Sequence, residues 1–521
     1  MLQKKLLSGL FWVLLLNLLI KPFWILGIEV GMQNAVGHEE YGFYFAIFNL
    51  AYIFNILLDL GITNYNTRNI AQHPKLVDKH FSSILTIKAI LLGLYLVVTF
   101  TVGLLKGYQS RQFTLLAFLC FNQFLSSFIL FLRSNFEGLL LFKWDSVISI
   151  LDRVIMIIIC GCLLWLPNHP DIKIEYFVYA QTAAYLTTAV VALAVLLAHL
   201  KRRGTHRNSQ LPIGTFCYPE TGESRAKCSK THRVFSSPFS WPFFIAILKQ
   251  SAPFALLVLL MASYNRIDPV LLEDLAPNGT FQAGIYAGAF RLLDALTMIA
   301  YLVSVPLLPI YSKLPRSLKV SETPRDTSQL ASVTRLMFSL IMVFAITAAI
   351  TFSSMSEELM DLLFNEHIEE LSSVFCILIF SIIPISVTYI FGTLLTADGR
   401  LKRLNILATC SLGLNILINL ILIPRYGAVG SACASLAAQS FIAIAQMLSA
   451  LRQFNIIPHW NYILKLTLFT LSIIICNLVL RQIDAAWLIW LIAAMVVALA
   501  AALLLRLIDI KEIVTIIKEN E

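Results

Sequence analysis

"GIYAGAFRLLDALTMIAYLVSVPLLPIY" (284–311) is long and apolar enough to cross a bilayer as one helix, because about 20 residues at a rise of about 1.5 Å each cover a hydrocarbon core of about 30 Å. It nevertheless carries Arg291 and Asp294, one helical turn apart. Its opening pattern, Gly284-x-Tyr286-x-x-x-Phe290, also occurs earlier as Gly42-x-Tyr44-x-x-x-Phe48. A crossing that holds charge, and that repeats a motif from the front of the chain, has to be explained by any fold proposed for it.

The rest of the chain supplies the context. Of its 521 residues 58% are apolar and 13% charged, and the mean hydropathy is +0.79. A soluble domain of any length is far less apolar. Apolar blocks of membrane-spanning length predict fourteen transmembrane helices, at about 8–31, 43–61, 82–105, 113–132, 147–166, 177–200, 245–265, 283–310, 333–353, 373–396, 404–424, 429–451, 461–480 and 485–506. Lys4 and Lys5 precede the first block as they would in a secretory signal. That block is too long for one, contains Lys21 and Glu29, and lacks a small-residue cleavage site, so it is expected to be retained.

Charge placement orients the helices. With a cytoplasmic N-terminus, 29 of the 39 Lys and Arg residues fall in or beside cytoplasmic segments, five beside external loops and five inside spans. This is the positive-inside pattern, and it accounts for the net charge of +9 without any nucleic-acid partner. It predicts a multi-pass membrane protein with both termini cytoplasmic. External segments carry acid instead, as in "SEELMDLLFNEHIEEL" (356–371).

Nine cysteines add little, since most lie inside spans and act as small apolar residues. Cys217 and Cys228, with His206 and His232, fit no zinc-ligand spacing, so no metal site and no cofactor is expected. The basic, Pro- and Ser-rich stretch 201–244 cannot build a core and reads as a solvated linker. It divides the chain into an N-terminal lobe (1–200, six spans), the linker (201–244), a C-terminal lobe (245–451, six spans) and a last segment (452–521) with two spans and an amphipathic tail from 508. The two copies of the Gly-x-Tyr-x-x-x-Phe motif each open the second span of a six-span set. Six crossings return the chain to its starting side, so the lobes are expected to be parallel repeats about an axis along the membrane normal.

Three stretches resemble a known family. "LKQSAPFALLVLLMASYNRIDPVLLEDLAPNGTFQAGIYAGAFRLLDALTMIAYLVSVPLLPIYSKL" (248–314) is similar to the seventh and eighth spans of bacterial polysaccharide-biosynthesis flippases of the multidrug/oligosaccharidyl-lipid/polysaccharide exporter (MOP) superfamily. "ADGRLKRLNILATCSLGLNILINLILIPRYGAVGSACASLAAQ" (397–439) resembles their eleventh and twelfth spans, with Asn415, Asn419, Pro424, Gly427 and Gly430 in the family's order. "YGFYFAIFNLAYIFNILLDLGITNYNTRNIAQ" (41–72) resembles the second span and its basic turn. The resemblance implies an all-α fold of two six-helix lobes around a central cavity that opens alternately to each side, with two extra C-terminal helices. It also implies a substrate, an oligosaccharide carried on undecaprenyl pyrophosphate for O-antigen, capsule or exopolysaccharide synthesis, and a polysaccharide polymerase as a downstream partner.

In-span charges give a separate physical reading. They are Lys21, Glu29, Lys88, Asp152, Arg153, Arg266, Asp268, Arg291 and Asp294, with Asp59 closing the second span. Each unpaired charge at mid-membrane costs about 2.5–3.5 kcal/mol, so these groups must face protein or water. A pyrophosphate gives cations a reason to be there, since Arg offers it bidentate contacts and Lys a point charge. The candidate substrate-binding residues are therefore Lys21, Lys88, Arg153 and Arg291, with Glu29, Asp59, Asp268 and Asp294 as ion-coupling groups or charge partners. Purely structural pairings are equally open: Arg291 with Asp294, Arg266 with Asp268, and Lys88 and Arg153 reaching the cytoplasmic interface. Asn415 and Asn419, at i and i+4, suit interhelical hydrogen bonds.

No catalytic constellation and no G-x-x-x-x-G-K loop is present, so the chain is expected not to be an enzyme. Two related functions stay open, a lipid II flippase and a cation-coupled drug antiporter of the same superfamily. A membrane-bound polymerase or ligase would need longer external loops than the sequence has.

Overall fold

In hydrocarbon each backbone N–H and C=O must be satisfied inside the membrane-spanning structure, which leaves helices or closed barrels as the only solutions. The computed structural model describes residues 20, 22–63, 66–67, 70, 76–139, 141–165, 172–209, 241–304, 307, 311, 324–454, 460–482 and 487–507, and every regular element among them is helical. In chain order the helices are α1 (Val30–Val36), α2 (His38–Ile53), α3 (Leu76–Leu105), α4 (Ser110–Gly138), α5 (Phe142–Trp165), α6 (Ile174–Ser209), α7 (Trp241–Leu275) and α8 (Gly279–Ser304). Then follow α9 (Pro324–Ser354), α10 (Ser356–Leu363), α11 (Ile368–Leu378), α12 (Ile382–Ala397), α13 (Leu401–Phe454), α14 (Trp460–Leu480) and α15 (Trp487–Leu504). A π-helical turn, Trp24–Glu29, leads into α1, and a 3₁₀ turn, Phe54–Leu58, prolongs α2.

Twelve helical stretches among the described residues are long and apolar enough to cross a membrane. One of them, α13, has 54 residues, or about 80 Å of helix, far more than a bilayer needs. It breaks at Gly427, whose φ of 54° and ψ of −129° are non-helical. The break separates the two crossings expected at 404–424 and 429–451. Gln282 of α8 reinforces it, its side-chain oxygen accepting the Ala428 N–H at 2.8 Å. The first expected span, 8–31, is described only at residue 20 and from residue 22, while Cys217, Cys228, His232 and the tail from 508 lie outside the described residues. The acidic 356–371 segment is not a plain loop. It holds α10, with Glu357 and Glu358 in its first turn, where they complement the helix dipole.

The chain forms two compact units, one of Met1–Ile20, Phe54–Cys160 and Glu175–Ala255, the other of Lys21–Ile53, Gly161–Ile174 and Leu256–Glu521. In the first, Ile84, Ile87 and Leu91 of α3 pack with Leu125 and Leu132 of α4 and Leu196 of α6. In the second, α7, α9, α12 and α13 share a core through Tyr264, Ile341, Ile390 and Ile442, which Phe469 of α14 and Ala498 of α15 complete. Helices α14 and α15 leave most of their apolar side chains exposed, as helices bordering lipid do.

Among the described residues of the second unit α2 and α8 pack closely along their length. The repeated motif supplies the reason. A Cβ on Gly42 would strike Thr280 O and the backbone of Gly284, and one on Gly284 would lie 2.6 Å from the carbonyl carbon of His38. The two copies therefore meet, glycine to glycine, in the close crossing that small residues permit between membrane helices. Gln33 clamps this end, donating to Gly284 O at 2.9 Å and lying 2.8 Å from His38 Nδ1. Gly42→Ala or Gly284→Ala should lower stability by about 1–3 kcal/mol through overpacking. Gly93→Ala, where a Cβ meets nothing within 4 Å, should be neutral or stabilising. Thermal unfolding of the purified protein in detergent measures all three.

Candidate functional site

Arg291 lies seven residues after Gly284, two turns along the same face of α8, so the glycine crossing aims its side chain at α2. There the guanidinium stands 5.2 Å from the Phe45 ring centroid and 5.5 Å from that of Tyr41. Its Nη1 is 2.6 Å from Glu29 Oε2, its Nη2 donates to the Tyr41 hydroxyl, and both Arg291 and Glu29 are buried. Arg291 Nε is buried with no partner among the described residues. The charge in the eighth span is thus neutralised by the first span, not by its own helix.

The pairing of Arg291 with Asp294 is corrected accordingly. Three residues on, Asp294 turns toward α7 and stands 3.8 Å from Arg266 Nη2. Arg266 lies with its guanidinium carbon 4.9 Å from the Phe290 ring and 5.2 Å from that of Tyr52. The pairing of Arg266 with Asp268 is corrected too, because side chains at i and i+2 point to different sides of a helix. Asp268 faces inward and is fully buried. Its Oδ1 accepts from Asn415 Nδ2 at 3.0 Å and Asn419 Nδ2 at 2.8 Å, and its Oδ2 accepts from the Tyr286 hydroxyl at 3.0 Å. Among the described residues it has no ion pair. Asn419 also donates to Asn415 at 3.0 Å, so the i, i+4 asparagines of α13 form one polar ladder that holds a carboxylate of α7.

In the first unit Lys88 does not reach the interface as the alternative reading allowed. It is buried, with Nζ 3.0 Å from Asp59 Oδ1 and donating to Ser127 Oγ at 3.0 Å and Leu58 O at 3.2 Å. The chain leaves the 3₁₀ turn here through Leu60 and Gly61, both at positive φ, and the ammonium satisfies a carbonyl freed by that turn. Arg153 is the more open cation, with a side chain 31% exposed and Nε 3.9 Å from Asp152 Oδ2. Lys21 lies outside the described residues. No group of three His, Cys, Asp or Glu side chains that could hold a metal occurs among the described residues.

Several partners escaped the sequence reading. Tyr41 and Phe45 sit at i and i+4 on α2, a spacing that marks one face, but nothing local says that an arginine will meet that face. Tyr286 belongs to the repeated motif, yet its bond to Asp268 depends on the α7–α8 packing.

Comparison with known proteins follows this geometry. A family model described as "Polysaccharide biosynthesis protein" matches residues 6–315. No curated protein matches the sequence. Among solved structures the chain is similar to the lipid II flippase MurJ in an inward closed conformation, with a TM-score of 0.64 and 14% identity, covering 96% of this chain and 98% of that one. It is also similar to a multidrug resistance MATE family transporter of the MOP superfamily in an inward-facing conformation, with a TM-score of 0.59 and 13% identity over 83% of this chain and 94% of that one. At such identities the likeness is one of fold.

The two kinds of in-span cation should respond differently to loss of charge. Asp59→Ala leaves Lys88 buried without its carboxylate and should destabilise by about 3–5 kcal/mol. Asp152→Ala, beside the more exposed Arg153, should cost no more than about 1 kcal/mol. Denaturation midpoints of the two variants in one detergent check the contrast.

Proposed function

We propose that this chain, which belongs to the polysaccharide biosynthesis protein family, moves undecaprenyl-pyrophosphate-linked oligosaccharide from the cytoplasmic to the external leaflet of a bacterial inner membrane. The family match over residues 6–315 carries this reading. The in-span cations Lys88, Arg153 and Arg291 support it, because they suit an anionic headgroup. Both termini and the 201–244 segment are assigned to the cytoplasm on the positive-inside distribution. Access to the substrate alternates between the two sides of the membrane.

In this reading a phosphate oxygen competes with Asp59 for Lys88 in the first unit, or with Glu29 for Arg291 in the second, so bound substrate exchanges one carboxylate partner for another without leaving a charge bare. Arg153, the more open cation, makes the first contact. No covalent step is required. A lipid pyrophosphate carries about two negative charges, and each one moved outward against 100 mV, inside negative, releases about 2.3 kcal/mol. Any coupling ion falls to Asp268. Glu29, Asp59 and Asp294 each have a cationic partner, whereas Asp268 is held by neutral donors alone. A drug-antiporter reading is weakened by Arg266, which opposes organic cations beside Asp294. The lipid II reading rests on likeness of fold at 14% identity.

Deleting the gene should deplete surface polysaccharide and leave glycan-bearing undecaprenyl pyrophosphate on the cytoplasmic leaflet. The wild-type chain should restore export, and Asp268→Asn, at normal protein level, should not. Unchanged surface polysaccharide and no accumulated lipid intermediate in the deletion strain would contradict the proposal.

A further inference from the structure

Asp294 has a side chain 42% exposed although it sits within a predicted span. A carboxylate turned toward hydrocarbon would be heavily penalised, so this face of α8 meets water. Tyr301, seven residues on and therefore on the same face, is 52% exposed. Its ring lies 5.7 Å from that of Tyr389, edge to face. Across from Asp294 stands Arg266, 3.8 Å away, backed by Phe290 and by Tyr52, which is itself 38% exposed. All six residues belong to the second unit.

The chemistry of this cluster narrows what it can hold. An organic cation would suit the carboxylate and the rings but meets the guanidinium. A phosphate would suit the guanidinium but meets the carboxylate. A neutral ring bearing hydroxyls satisfies both, because a carboxylate accepts from hydroxyls and a guanidinium donates to ring and hydroxyl oxygens. The C–H face of such a ring also packs flat against an aromatic side chain, as apolar surface does. At 3.8 Å the ion pair is looser than a tight charge-assisted hydrogen bond of about 2.7–2.9 Å, so both groups keep bonding capacity for a ligand.

We propose that Asp294, Arg266 and Tyr301, with Tyr52, Phe290 and Tyr389 around them, bind a sugar ring of the transported headgroup, using side chains other than the Glu29–Arg291 pair assigned to phosphate in the same unit. This rests on the function proposed above. It gives the second unit a role in selecting the glycan.

The test uses the purified full-length chain in lipid nanodiscs and two probes: lipid-linked oligosaccharide extracted from cells lacking the gene, and undecaprenyl pyrophosphate without a glycan. Dissociation constants are measured for each. Wild type should bind the glycan-bearing lipid about tenfold more tightly than the bare one. Tyr301→Ala and Asp294→Asn should abolish that preference while leaving affinity for undecaprenyl pyrophosphate within about twofold, and Tyr301→Phe, which keeps the ring, should retain the preference. Equal binding of both lipids by wild type would overturn this site and leave the flippase reading intact, whereas binding of neither would overturn the flippase reading itself. Tighter binding of bare undecaprenyl pyrophosphate by Asp294→Asn would reassign Arg266 to phosphate. Binding of tetraphenylphosphonium that Asp294→Asn abolishes would reassign the face to organic cations.

Discussion

The ion pair between Glu29 and Arg291 is the contact on which the second unit depends. A membrane helix can carry a charge only if something neutralises it, and the partner must come from another helix brought very near. The Gly42–Gly284 crossing provides that nearness. It sets α2 against α8, which directs Arg291 between Tyr41 and Phe45 and onto Glu29 at the end of the π-helical turn. Glycine placement, aromatic shielding and charge pairing are thus one solution to one problem. The repeated motif and the buried arginine, which look unrelated along the chain, lie two turns apart on the same stripe of α8.

That solution constrains transport. A pair buried this deeply is costly to break and cheap to exchange, since a phosphate can replace a carboxylate around the same guanidinium without a bare intermediate. The same logic holds in the first unit, where Asp59 and Ser127 hold Lys88. Asp268 differs in kind, because its ladder of Asn415, Asn419 and Tyr286 supplies hydrogen bonds and no charge. Asp268 is thereby set apart from Glu29 and Asp59 by the partners it keeps.

Much of this was legible in the sequence, and what was not has a physical reason. Span number and position follow from hydropathy and length, and the break in the long helix was marked by Pro424, Gly427 and Gly430. The in-span charges were visible as a set. Their pairing was not. Arg291 and Asp294 are near neighbours on one helix, but a helix face is wide enough that packing sends them to different partners, Glu29 and Arg266. Arg266 and Asp268, closer still in sequence, point away from each other. Partners separated by some 260 residues, as Glu29 and Arg291 are, leave no local trace in a single sequence.

The Glu29–Arg291 contact can be measured directly with a double-mutant cycle of Glu29→Gln and Arg291→Met, read as unfolding free energies of the purified protein in one detergent. Each single variant strands a buried charge, while the double variant strands none. The account predicts that the double variant is more stable than the two single losses added together, with a coupling energy of about 1–3 kcal/mol. A coupling within about 0.3 kcal/mol of zero would mean that the two side chains do not sense one another, and would contradict it.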